Sequence, residues 1–200
     1  MFVPGIDQRV VLVDTSGNAT SGGGGTTPGP APPMGNIGGL TKSVDTVLTR
    51  PANTTAYATG REMTDVSGAI RTLTGAAGAA GKTGIVTHCL LDVGSNGATK
   101  PIFIVYLYDT TSTPSADGAA FLPAVAVQDT LIGYFSLTAY EIADPTANTG
   151  NFAMDSGQIY LPFTTLATAN LFMRVKTNNA YTPGVVSDTY RFRFAIQQDA

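Results

Sequence analysis

The residues that come nearest to a catalytic or binding pattern lie between positions 76 and 89. Ala76 to Thr83, read AAGAAGKT, fits a loose phosphate-binding loop in which backbone N–H groups and the Lys82 ammonium surround phosphates at the start of a helix. That chemistry needs a helix after Thr83, and GIVTHCLLDV reads as a strand, so the sequence predicts a glycine-rich turn instead. His88 and Cys89 are the single histidine and the single cysteine of the chain. Neighbours on a strand point to opposite faces, so the two cannot work as base and nucleophile. Cys89 is expected to pack as a small hydrophobe, and His88 to lie at a surface or interface. The carboxylates Asp109, Asp117, Asp129, Glu141, Asp144, Asp155 and Asp188 fall mostly at strand ends and turns, where an acidic side chain bonds its own backbone. A glycosidase would need two of them facing across a cleft. The oxygen-rich stretch 109–117, DTTSTPSAD, matches no ion-binding loop. No catalytic residue, metal site or cofactor is assigned.

Positioning of these side chains falls to an all-β body. GIVTHCLLDV, PIFIVYLYD, TLIGYFSLT, GQIYLPFTT, ANLFMRVKT and DTYRFRFAIQQ are each bounded by Gly, Pro, Asn, Asp or Ser. In the last, Tyr190, Phe192, Phe194 and Ile196 alternate with Arg191, Arg193 and Gln197, the period of a sheet with one wet face. PIFIVYLYD is apolar on both faces, which makes it a central covered strand or part of an interface. Pro162 places its strand at an edge or ends it there. Residues 54–82, rich in Thr and punctuated by Gly60, Gly68 and Gly75, read as β or loop rather than as a helix. The expected fold is an antiparallel β-sandwich or jelly-roll-like body over residues 41–200.

Residues 1–40 obey different physics. TSGNATSGGGGTTPGPAPPMGNIGG cannot build a core and reads as a flexible, then semi-stiff, linker behind a short strand-like segment, RVVLVD at 9–14. Forty extended residues reach on the order of 130 Å at roughly 3.3 Å each. Such an arm becomes ordered only by gaining hydrogen bonds and burial on something else, for example by adding RVVLVD to a neighbouring sheet, with Phe2, Val3 and Ile6 as apolar anchors.

Composition narrows the function. Charged residues are 12% of the chain and the formal net charge is −3, with the basic residues scattered, so nucleic acid is not an expected partner. No apolar run is long enough to cross a bilayer, and MFVPGIDQRVVLVD lacks the basic start and unbroken apolar stretch of a secretory signal. A lone cysteine excludes an intrachain disulfide. A weakly charged surface and a two-faced apolar strand favour self-association as a dimer or trimer.

Thr49 to Gly60, TRPANTTAYATG, resembles the TRPxxTTAYAxG motif of structural proteins encoded beside the major capsid protein in many tailed bacteriophages. FIVYLYDTTSTPSADGAAF (103–121), GQIYLPFTT (157–165) and LFMRVKTNNAYTPGVVSDTYRFRFAIQQD (171–199) are similar to later parts of that family, in the same order. The similarity runs from about Val44 to Asp199. It implies a non-enzymatic head protein of the cement or decoration kind, bound to the major capsid protein on the outside of the virion capsid. A neck or tail position is a variant of that reading, and a host-glycan-binding β-sandwich is its rival. The family motif usually continues with Asp and small aliphatics, whereas Arg61, Glu62 and Met63 stand here, which implies a different local contact. Arm and motif together nominate Phe2, Val3, Ile6, Val10, Val11, Leu12, Val13, Arg50 and Tyr57 as capsid contacts.

Overall fold

Alternation of apolar and polar residues is converted into a curled antiparallel sheet. The computed structural model describes residues 40–94, 100–140 and 152–199. Its elements are β1 (Leu40–Thr49), β2 (Glu62–Met63), β3 (Arg71–Leu73), β4 (Thr83–Val93), β5 (Ile102–Tyr108), a one-turn helix α1 (Val125–Gln128), β6 (Leu131–Tyr140), β7 (Phe152–Asp155), β8 (Leu161–Thr164), β9 (Leu171–Thr177) and β10 (Thr189–Gln198). The strand order is β1-β10-β4-β7-β6-β5-β9-β2, with β3 also on β9 and β8 also on β4. Every pairing is antiparallel. The all-β, sandwich-like body expected from the sequence is therefore the observed fold. The strand-like segment 9–14 and the linker behind it lie outside the described residues.

One apolar core fills the curl. Val44 and Leu48 of β1, Cys89 and Leu91 of β4, Phe103 and Val105 of β5, Met173 and Val175 of β9, and Phe192 and Phe194 of β10 are all buried in it. Edge-to-face contacts between Phe103 and Tyr190, 5.9 Å between centroids, and between Phe135 and Phe194, 6.2 Å, join strands that are not neighbours in the sheet. The sheet thus folds over on itself, and β5 and β6 face β10 across the core. Of the two readings of PIFIVYLYD, a central strand or an interface, β5 takes a central place in the sheet, between β6 and β9. Its second face is covered in part by Phe121, which stacks on Tyr106 at 4.6 Å. Pro162 sits in β8, whose only ladder among the described residues is to β4, in keeping with an edge.

The two ends of the sheet path meet along a seam without a backbone ladder. Arg71 Nη1 donates to the Val47 carbonyl at 2.8 Å, the Thr49 amide to Asp65 Oδ2 at 2.9 Å, and the Val66 amide to the Thr49 carbonyl at 2.7 Å. Burial alone would raise the Asp65 carboxyl, but the Ser67 hydroxyl, the Thr49 and Ser67 amides and the Arg71 charge hold it below the usual carboxylate value. Among the described residues no helix is long and apolar enough to cross a membrane.

Candidate functional site

At the end of the sandwich where β1 stops, two loops of equal length run side by side. Loop 51–56, PANTTA, and loop 182–187, TPGVVS, are pinned together at both ends. At one end the Arg50 amide donates to the Asp188 carbonyl at 2.9 Å. At the other, Tyr57 and Tyr181 exchange both backbone bonds, at 2.8 and 3.0 Å. The outward side chains of this pair are Ala52, Thr54, Thr55, Ala56, Thr182, Val185, Val186 and Ser187, and none of them is charged.

A buried polar knot holds the loops from beneath. Arg50 is 1% exposed and its guanidinium spreads over five acceptors. Its Nε donates to the Tyr57 hydroxyl at 2.5 Å, Nη1 to the Asn53 carbonyl at 3.2 Å, and Nη2 to Asn53 Oδ1, the Thr55 carbonyl and Asp117 Oδ2 at 3.2–3.4 Å. The Tyr57 hydroxyl in turn donates to Asp117 Oδ1 at 2.6 Å, which also accepts the Thr64 amide at 3.1 Å. Arginine suits this position because a planar fork of donors can satisfy several loop carbonyls at once and never loses its charge. The neighbouring hydroxyls of Tyr181 and Tyr190 bond at 2.8 Å, and Tyr190 donates to Asp188 Oδ2 at 3.3 Å. Burial is the first cause that pushes all three phenols up, Tyr181 to about 12 and Tyr57 and Tyr190 further, with Asp117 adding to the effect at Tyr57. All three are therefore protonated at neutral pH, as their donor roles require.

Beside the knot lies an ion pair cut off from water. Arg174 donates from Nε and Nη2 to the two oxygens of Glu62, each at 2.6 Å, and both side chains are buried. Phe121 roofs the guanidinium at 4.8 Å. Glu62 Oε2 also accepts the Ser115 amide at 2.8 Å, and residue 62 exchanges backbone bonds with Gly118 and Ala119. Gly60, at φ +79°, makes the turn that brings β2 here, a conformation that side chains rarely adopt.

Placement of the nominated residues is thus divided. Arg50 and Tyr57 are brought together, yet inside the body, at 1% exposure each, with the exposed residues of the loop between them. Phe2, Val3, Ile6, Val10, Val11, Leu12 and Val13 lie outside the described residues. Lys82 ends a turn that feeds β4 directly, without the helix a phosphate loop needs. Cys89 is fully buried, and burial followed by the Asp155 charge pushes its thiol well up, while His88 points the other way and meets Asp155. Arg191 and Arg193 are partly exposed and paired with Asp45 and Asp92. Among the described residues no group of three His, Cys, Asp or Glu side chains could hold a metal ion.

By type and spacing Asp117 and Asp188 read only as turn carboxylates, Tyr190 as an inward-facing strand residue and Glu62 as a departure from the resembled motif; none of these, nor Arg174 or Tyr181, was nominated as a contact. The available signal was an arginine among apolar neighbours in LFMRVKT, the acid that opens DGAAF, and the acid immediately before the terminal strand. No protein-family model matches the chain, and no curated protein matches it either.

Proposed function

We propose that this chain is a non-enzymatic virion head protein that binds the outside of the capsid lattice through the major capsid protein and stabilises it by linking neighbouring capsomers. One observation carries the reading. The separate segments that resemble the phage family, TRPANTTAYATG, DGAAF and AYTP, fold onto one another, with Tyr57 bonded to Arg50, Asp117 and Tyr181 at the base of the twin loops. This contact supports the reading, because the resembling segments then belong to one folded unit. A lattice then multiplies a modest contact per copy through many equivalent sites, and the tethered arm and self-association as a dimer or trimer raise the effective concentration further.

The rival host-glycan reading has its own observation. Tyr134, 63% exposed, lies 5.4 Å from Tyr106, which stacks on Phe121, an aromatic surface on which a sugar ring could rest. Co-sedimentation of the purified protein with mature heads lacking it tests the first reading. Saturable binding at a fixed number of copies per capsid subunit is expected. A few copies per particle would move the protein to the neck or a vertex. No binding to heads, together with a signal on a glycan array, would overturn the proposal in favour of the rival.

A further inference from the structure

The arrangement beneath the twin loops is more than a solvated turn requires. Two six-residue loops in water need only their own backbone turns, yet here a buried arginine, three buried tyrosine hydroxyls and the carboxylates of Asp117 and Asp188 are committed to holding them. Burying such groups brings little net stability, so their effect is to fix geometry. Ser187 is the one non-glycine residue at positive φ among the described residues, at 53°, and it lies in this pair. Strain of that kind persists where the surrounding structure over-determines a conformation. Next to it Val185 and Val186 are 50% and 57% exposed, two adjacent β-branched side chains held out from the body. The rest of the presented surface is Ala, Thr and Ser.

We infer that the twin-loop surface, Thr54–Ala56 together with Thr182–Ser187, is the face of this protein that meets the capsid lattice, and that the lattice meets it with an uncharged surface. The inference rests on the head-protein reading and deepens it by naming the face. The chemistry of the loops selects the partner. With no charged side chain on the presented face, an anionic or cationic partner gains nothing there, whereas small hydroxyl and methyl groups on a rigid backbone fit an uncharged, closely approaching protein surface. Pre-ordering removes the entropy cost of fixing two loops at the moment of binding, which matters when each copy contributes only a small contact. Arg50 and Tyr57 are positioning residues in this scheme.

The test is binding to heads lacking the protein, using the full chain and three variants. Thr55→Lys and Val185→Glu each place an unpartnered charge on the loop surface, and Ser136→Lys places one on the exposed outer face of β6. All three positions are exposed, and an unchanged melting temperature verifies folding. Loop variants are expected to bind about tenfold or more weakly, because a charge is driven into a contact that offers it no partner. Ser136→Lys should bind as the wild type does. Wild-type affinity should change by less than about threefold between low and high salt, as uncharged contacts are barely screened.

Wild-type binding with unimpaired loop variants would overturn this inference alone, whereas failure of the wild type to bind heads would overturn the head-protein reading and the inference with it. A steep loss of wild-type affinity with salt would assign the contact to a charged face instead. A self-association abolished by Val185→Glu, with head binding intact, would give the loops to a second copy and also overturn the inference.

Discussion

Removing a single oxygen at the centre of the knot should cost far more than the atom's size suggests. In Tyr57→Phe the ring stays, so no cavity opens. Two bonds to ionised partners disappear, one accepted from Arg50 and one donated to Asp117. Each bond of this kind contributes about 1.5–3 kcal/mol net, and the Arg50 Nε left behind is buried without a partner. The two losses do not simply add, because Arg50 and Asp117 still contact each other at 3.4 Å and Asp117 keeps the Thr64 amide. A destabilisation of about 2–3 kcal/mol follows, which for a domain of this size lowers the melting temperature by about 5–10 °C. Urea unfolding followed by circular dichroism reads it as a lower midpoint at unchanged slope. Tyr160→Phe, at a side chain 75% exposed, is the control and should move stability by less than about 0.5 kcal/mol. If Tyr57→Phe behaved like that control, the knot would not hold the loops and the argument built on it would fail.

Alkaline pH offers a second probe, because a raised phenol pKa favours the protonated, folded form. Stability is fully present below the unfolded tyrosine value near 10 and is lost as pH rises, through about 12 for Tyr181 and beyond for Tyr57 and Tyr190, at up to about 1.4 kcal/mol per pH unit per group. A pH–stability profile that stays flat from 9 to 11.5 would contradict this, and Tyr190→Phe should reduce the slope. In the ion pair, Arg174→Met should cost about 3–5 kcal/mol by stranding Glu62, while Glu62→Leu with Arg174→Met should recover most of it; a double variant as unstable as the single one would mean that the charges stabilise rather than specify. Finally, a thiol reagent should label Cys89 only after denaturant unfolds the protein, and labelling of the native form at the rate of a free thiol would refute its place in the core.

Elements with a clean period of two were legible, and those shaped by their neighbours were not. β10 follows the apolar alternation, because one face of it meets the core, while β5 was legible as an unbroken apolar run. β1 escaped notice as a separate strand since Leu40 and Val47 are exposed, and only Val44 and Leu48 mark its inner face. β8 is shorter than GQIYLPFTT suggested, for Tyr160 turns out to solvent before the strand begins. The knot was hidden for a physical reason. An arginine's type says surface, and the one carboxylate among the acceptors of buried Arg50 comes from Asp117, sixty residues beyond Tyr57. Glu62 stood as a departure from the family pattern, and its partner on β9 explains it: the charge that looked out of place is one half of a buried pair.

β1 runs the full height of the body and so gives it a polarity. Its last residue, Thr49, leads into the twin loops, while its first, Leu40, pairs with Gln198 near the end of β10. Ten residues of strand separate the two ends by about 30 Å. Cargo joined beyond Gln198 would therefore ride at the end of the sheet away from the twin loops, clear of any contact that they make.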